Sequence, residues 1–86
     1  MLELLKKNIG NSIGIRVGSE YIQPYSSNWY ILPFTDDKWL RVVALSTTQA
    51  TRLPYAEISD IACDIDGSIR TIQHFKIESI TSFWIL

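Results

Sequence analysis

Two side chains in this 86-residue chain have the types for covalent catalysis, the single Cys63 as nucleophile and the single His74 as base. A thiol is activated when an imidazole stands within hydrogen-bond reach. The surroundings of both residues point elsewhere. Cys63 falls on one side of an alternating stretch with Ile61 and Ile65, against Asp60, Ala62 and Asp64 on the other, which predicts a small buried side chain. His74 stands beside Phe75 in a second strand-like stretch and is expected at an edge or on the surface. No nucleophile elbow, phosphate loop or two-histidine metal motif occurs. A tetrahedral zinc site would have to be built from one cysteine and one histidine. The expectation is a non-enzyme with no cofactor and no metal.

Charge is the second source of chemistry. Glu57, Asp60, Asp64 and Asp66 form an acidic stretch. Asp64-Ile65-Asp66-Gly67 has part of a calcium-loop pattern, but Phe75 stands where the closing glutamate belongs. A solvated strand face, or an acidic patch that steers a basic partner, is the remaining reading. Net charge is −1: residues 1–52 hold six Lys/Arg against four acids (+2), and residues 53–86 hold two against five (−3). Nucleic-acid binding rests on clustered cations that neutralise phosphate. Scattered ones leave it possible but not favoured by charge.

The aromatic residues are the third source. Tyr21, Tyr25, Trp29, Tyr30, Trp39, Tyr55 and Trp84 exceed what one small core hides, and Trp and Tyr dominate binding hot spots. Tyr21, Tyr25, Trp29 and Tyr55, with Phe83, Trp84 and Leu86 of the C-terminal apolar run, are the candidate partner-binding residues.

These side chains need elements to hold them. Leu2, Leu5 and Ile9 share one helical stripe, and Gly10 follows, which predicts a short helix with a C-terminal glycine. Ile13, Ile15 and Val17 then alternate with Gly14, Arg16 and Gly18, the period of a half-buried strand. Residues 20–27 read as a connector or an irregular edge segment around Pro24. Two apolar runs flank Thr35-Asp36-Asp37-Lys38 and predict a hairpin in the middle of the domain, with Phe34 set opposite Trp39. After the polar loop at 47–52, Pro54 suits the opening of a single helical turn. Asp66-Gly67 is the strongest turn signal. A three-residue loop there would place Asp64 opposite Arg70 and Asp60 opposite His74. Phe83 to Leu86 predicts a final strand packed in the fold or a surface handed to another subunit.

Eighty-six residues with 47% hydrophobic composition fit one ordered domain near the lower size limit for an unaided core. The predicted fold is mainly β: a small Sm-like or SH3-like barrel of five or six antiparallel strands with a short N-terminal helix, over residues 1–86. No run approaches a membrane span, no signal-peptide core opens the chain, and the lone thiol makes the cytoplasm the expected compartment.

Residues Pro24 to Leu45 resemble the WYL domain, a small Sm-like barrel of bacterial transcription regulators and phage-defence proteins. Trp29-Tyr30-Ile31 stands at the named motif and Leu40-Arg41-Val42-Val43-Ala44-Leu45 at the strand that follows. Ser46-Thr47 stands where that family has an Arg-Ile pair. The resemblance implies that Arg41 contacts a ligand; in a ligand-sensing module of that type, Arg16 and Arg52 are the further candidates to meet phosphate. Two functional expectations follow. The first is an interaction module, such as a small adaptor or inhibitor, that binds another protein or itself through an aromatic and apolar surface. The alternative is a regulatory module sensing a nucleotide or nucleic-acid ligand.

Overall fold

The computed structural model describes residues 1–18, 20–22, 29–46, 56–63 and 65–86. Helix α1 (Leu2–Lys7) carries Glu3 in its first turn and Lys6 and Lys7 in its last, as the helix dipole favours. Its anchor is Leu5, which is wholly buried, whereas Ile9 lies beyond the last turn and is exposed. The expected three-residue stripe therefore docks mainly through one side chain. Gly10 has φ +90°, where an L side chain is strained. The turn it allows brings its N–H to the Ile31 carbonyl at 2.8 Å.

Among the described residues seven strands follow: β1 (Ile13–Val17), β2 (Glu20–Ile22), β3 (Trp29–Ile31), β4 (Trp39–Ser46), β5 (Glu57–Cys63), β6 (Ile69–Lys76) and β7 (Ile80–Ile85). A 3-10 turn at Ile77–Ser79 joins the last two. The count exceeds the expected five or six because part of the connector after Gly18 pairs as β2. All pairings are antiparallel and form two sheets, β2-β1-β7 and β3-β4-β6-β5. The sheets join where β1 begins: Ser12 bridges Tyr30, and the Ile31 N–H donates to the Asn11 carbonyl at 3.0 Å.

The core lies between these layers. Ile13, Ile15 and Val17 come from β1, Trp29 and Ile31 from β3, Leu40, Val42 and Ala44 from β4, Phe75 from β6 and Ile80 from β7. Full burial of such side chains contributes about 1.5–3 kcal/mol each. The hairpin of β3 and β4 has the expected register, with Ile31 opposite Val42, but its ladder stops early. Pro33 has no N–H to give, and 35–38 are bends in which Asp36 Oδ1 accepts from the N–H groups of Lys38 (2.7 Å) and Trp39 (3.2 Å). Phe34 packs on the core while Trp39 meets His74, so the expected Phe34–Trp39 pair gives way to a different one. β4 is an interior strand, whereas β3 ends its sheet.

The β5–β6 hairpin also departs from expectation. Its loop has five residues, 64–68, since Cys63 pairs with Ile69. Arg70 therefore faces Ala62, and His74 faces Glu57 rather than Asp60. Strand β7 pairs along β1, and the Leu86 N–H donates to the Ser12 carbonyl at 2.9 Å. Phe83 packs on the core and Trp84 is partly buried, while Ile85 and Leu86 remain exposed. The C-terminal run thus divides between packing and surface.

Trp84 pairs with Gly14, and a Cβ on Gly14 would run into the indole ring. The glycine is there because the ring lies against the backbone. We expect Gly14→Ala to lower unfolding stability by about 1–3 kcal/mol, as overpacking of a fitted site does, measured by urea denaturation. An unchanged midpoint would show that the indole moves aside freely.

Candidate functional site

Alternation along β4 and β6 sends one set of side chains into the core and the other to the open face. Trp39, Arg41 and Val43 of β4 stand opposite Lys76, His74 and Ile72 of β6. Tyr30 of β3 lies beside Val43, and Glu57 of β5 beside His74. Tyr30, Trp39, Arg41, Val43, Ile72 and His74 are each only partly buried. This face therefore mixes aromatic, aliphatic and cationic groups that no second layer hides completely.

Trp39 is its centre. The ring centroids of Trp39 and His74 are 4.5 Å apart with planes at 84°, an edge-to-face contact worth about 0.5–1.5 kcal/mol beyond burial. Lys76 Nζ stands 5.9 Å from the Trp39 centroid, within cation–π range. Asp36 fixes the backbone at Trp39, and Asp37 ties the same turn to α1 through Lys6 Nζ at 3.1 Å. An open hollow of about 620 Å³, lined by Asp37, Lys38, Trp39, Lys76, Ile77 and Glu78, lies at this end of the sheet. Its size is in the range of small-ligand sites.

Arg41 sits one step further along β4. One Nη2–H donates to the Pro33 carbonyl at 2.8 Å, while Nε is buried with no hydrogen-bond partner. No carboxylate pairs with Arg41 among the described residues, where the ion pair is Lys6–Asp37. A partly buried cation without a counter-ion is costly, and an anion placed against it would offset that cost.

The remaining expected residues land apart from this face. Arg16, on β1, turns its Nε back to the Gly18 carbonyl at 3.0 Å, so it is not brought to Arg41. Arg52, Tyr25 and Tyr55 lie outside the described residues, as does the helical turn expected at Pro54. Tyr21 belongs to the edge strand β2. Trp29 is 2% exposed and belongs to the core, because its strand face meets β1 and β4. It offers no surface to a partner. Phe83 and Trp84 are half covered and Leu86 is exposed. Cys63 is exposed rather than buried, since β5 ends its sheet and the core does not reach under it. His74 is on the interior strand β6 and partly buried, not at an edge. Cys63 pairs with Ile69, five positions before His74 on β6, so thiol and imidazole are separated by about 16 Å along the sheet at ~3.3 Å per residue.

The acidic stretch divides as well. Asp66 Oδ1 accepts from the Ser68 hydroxyl at 2.6 Å and the Ser68 N–H at 3.0 Å, so its carboxylate serves the turn. Among the described residues, no three His, Cys, Asp or Glu side chains gather as for a metal ion. No helix among them is long and apolar enough to cross a membrane. No family model matches the chain, and neither a curated protein nor a solved structure matches it.

The hydrogen bonds from the Ser68 hydroxyl and N–H hold the Asp66 carboxyl below its usual range. The depressed folded-state pKa stabilises the fold above the unfolded value, and that contribution is lost as pH falls through the folded value. We expect Ser68→Ala to move the Asp66 titration upward, read from its carboxyl chemical shift against pH. An unmoved titration would remove the hydroxyl as the main cause.

Proposed function

We propose that the chain is a non-enzymatic binding module, a small SH3-like or Sm-like barrel, whose open sheet face takes an anionic ligand carrying a flat ring. A nucleotide or a single-stranded nucleic acid has that chemistry. The observation that carries this reading is Arg41, a partly buried guanidinium with an unpartnered Nε and, among the described residues, no carboxylate beside it, two residues from the Trp39 ring. A base would stack on the indole, and phosphate would meet Arg41, with Lys38 and Lys76 at the hollow. The chain's overall charge argues against such a ligand, but binding responds to the local field. The antiparallel order, the Ser12–Tyr30 junction and the 3-10 turn before the last strand support the barrel reading. The separation of Cys63 from His74 supports a non-catalytic role.

A second reading, a protein partner met through an apolar surface, is favoured by the exposure of Ile58, Ile61, Ile65 and Leu86.

The first reading is tested by titrating the full chain with ATP and with a short oligothymidylate, following amide shifts by NMR. The shifts are expected on β4 and β6 around Arg41, with affinity falling as salt rises. Arg41→Ala should weaken binding by at least about tenfold, the ~1.5–3 kcal/mol of a charge-assisted hydrogen bond. Binding unaltered in that variant, or no binding by either probe, would reject the anion site.

A further inference from the structure

The inner side of the four-stranded sheet is covered over only part of its width. Ile58, Ile61 and Cys63 of β5 pair with Gln73, Thr71 and Ile69 of β6. They share the face on which Thr71 and Gln73 are wholly buried. Yet Ile58 is 38% and Ile61 43% exposed, and Cys63 is exposed too. In a regular strand, residues three apart point to opposite faces. The register shift between Ile58 and Asp60 brings both isoleucines to the same side, as a bulge re-aims a side chain. The ladder is interrupted here, and the outcome is a row of three apolar side chains beyond the core. β5 also ends its sheet, so its outer edge has no strand beside it among the described residues.

Charge narrows what fits. Residues 57–67 contain Glu57, Asp60, Asp64 and Asp66 and no Lys or Arg. A second copy adding its own β5 would bring one net-negative stretch against another, and like charges oppose such pairing. An extended segment alternating apolar residues with lysine or arginine meets both properties. Its apolar side chains cover the row while its cations answer the net negative charge of residues 57–67.

We propose that the outer edge of β5 is a docking site for such a basic, alternating segment of a partner protein, which adds as a further strand to the sheet. This gives the protein-partner reading a location. It is independent of Arg41, which lies on the opposite face.

The test titrates the isotope-labelled full chain with a peptide of about ten residues alternating valine and lysine, and with its valine–glutamate counterpart. The lysine peptide is expected to shift the amides of 57–63 and 69–73, more weakly at high salt, and the glutamate peptide to leave them in place. Ile61→Lys and Cys63→Lys change exposed positions, and an otherwise unchanged amide spectrum certifies their fold. Each should weaken the lysine peptide by at least about tenfold, whereas Arg41→Ala should leave it unaltered. No binding of the lysine peptide overturns the proposal, even where oligothymidylate still binds at Arg41. Equal binding of both peptides, or shifts confined to other strands, overturns it too. So does self-association of the full chain that Ile61→Lys abolishes, because a second copy would then be the occupant.

Discussion

Eight consecutive pairs between β4 and β6, from Trp39–Lys76 to Ser46–Ile69, decide what this molecule presents to water. Side chains alternate across a sheet, so a slip of one residue in this register would exchange its two faces. The register that forms puts Leu40, Val42 and Ala44 inside with Phe75, Gln73 and Thr71. It puts Trp39 and Arg41 outside with His74 and Lys76. Two polar residues are thereby buried and Ile72 is left partly exposed, which β6 read alone would not suggest. Phe75 and Leu40 fix the choice, because exposing that pair forfeits more apolar burial than hiding Ile72 would gain. Gln73 and Thr71 follow inward, and neither is without an interaction partner.

The second constraint is the junction at the start of β1. Residues 10–12, just before β1, bond to β3 while β1 itself bonds to β2 and β7. One stretch of backbone therefore serves both sheets, and Gly10 supplies the turn that brings it there. Gly14 serves the same packing from the other side, since its missing Cβ lets Trp84 close over β1. A chain of this size has little apolar area to spare, and a large ring laid on a glycine adds coverage where no side chain could fit.

Much of this architecture is legible in the residues. The period of two in Ile13, Ile15 and Val17 reads directly as a strand with one face inside, and Asp66-Gly67 as the turn between β5 and β6. The register of Trp29 to Ile31 against Val42 to Ala44 follows from the polar tetrapeptide between them. What the residues do not carry is neighbour information. Cys63 and Ile61 do share an inward-facing side, as alternation suggests, but whether another layer lies over that side depends on how far β1 and β7 extend. Trp29 and Trp39 are equally aromatic and ten positions apart, yet one lies in the core and the other on the open face. The β5–β6 register turns on a five-residue loop and a bulge, and neither has a composition that announces it. Arg41 was legible as a candidate only through the motif it resembles. The hydrogen bond to Pro33 and the bare Nε belong to three dimensions.

The two faces of the four-stranded sheet differ in chemistry because they obey different constraints. The inner face answers to packing, so its uncovered margin along β5 is apolar. The open face answers to water, and there Arg41 could have been paired with a carboxylate at little structural cost, since positions beside it on β6 and β3 are partly solvated. Instead its cross-strand neighbour is His74, flanked by Trp39 and Lys76, while Glu57 lies one strand further away. A sheet built only for stability would neutralise that guanidinium or replace it with an aliphatic residue. Among the described residues the guanidinium keeps its charge without a carboxylate partner, beside a partly exposed ring, and the proposed anion site rests on that pairing of cation and indole.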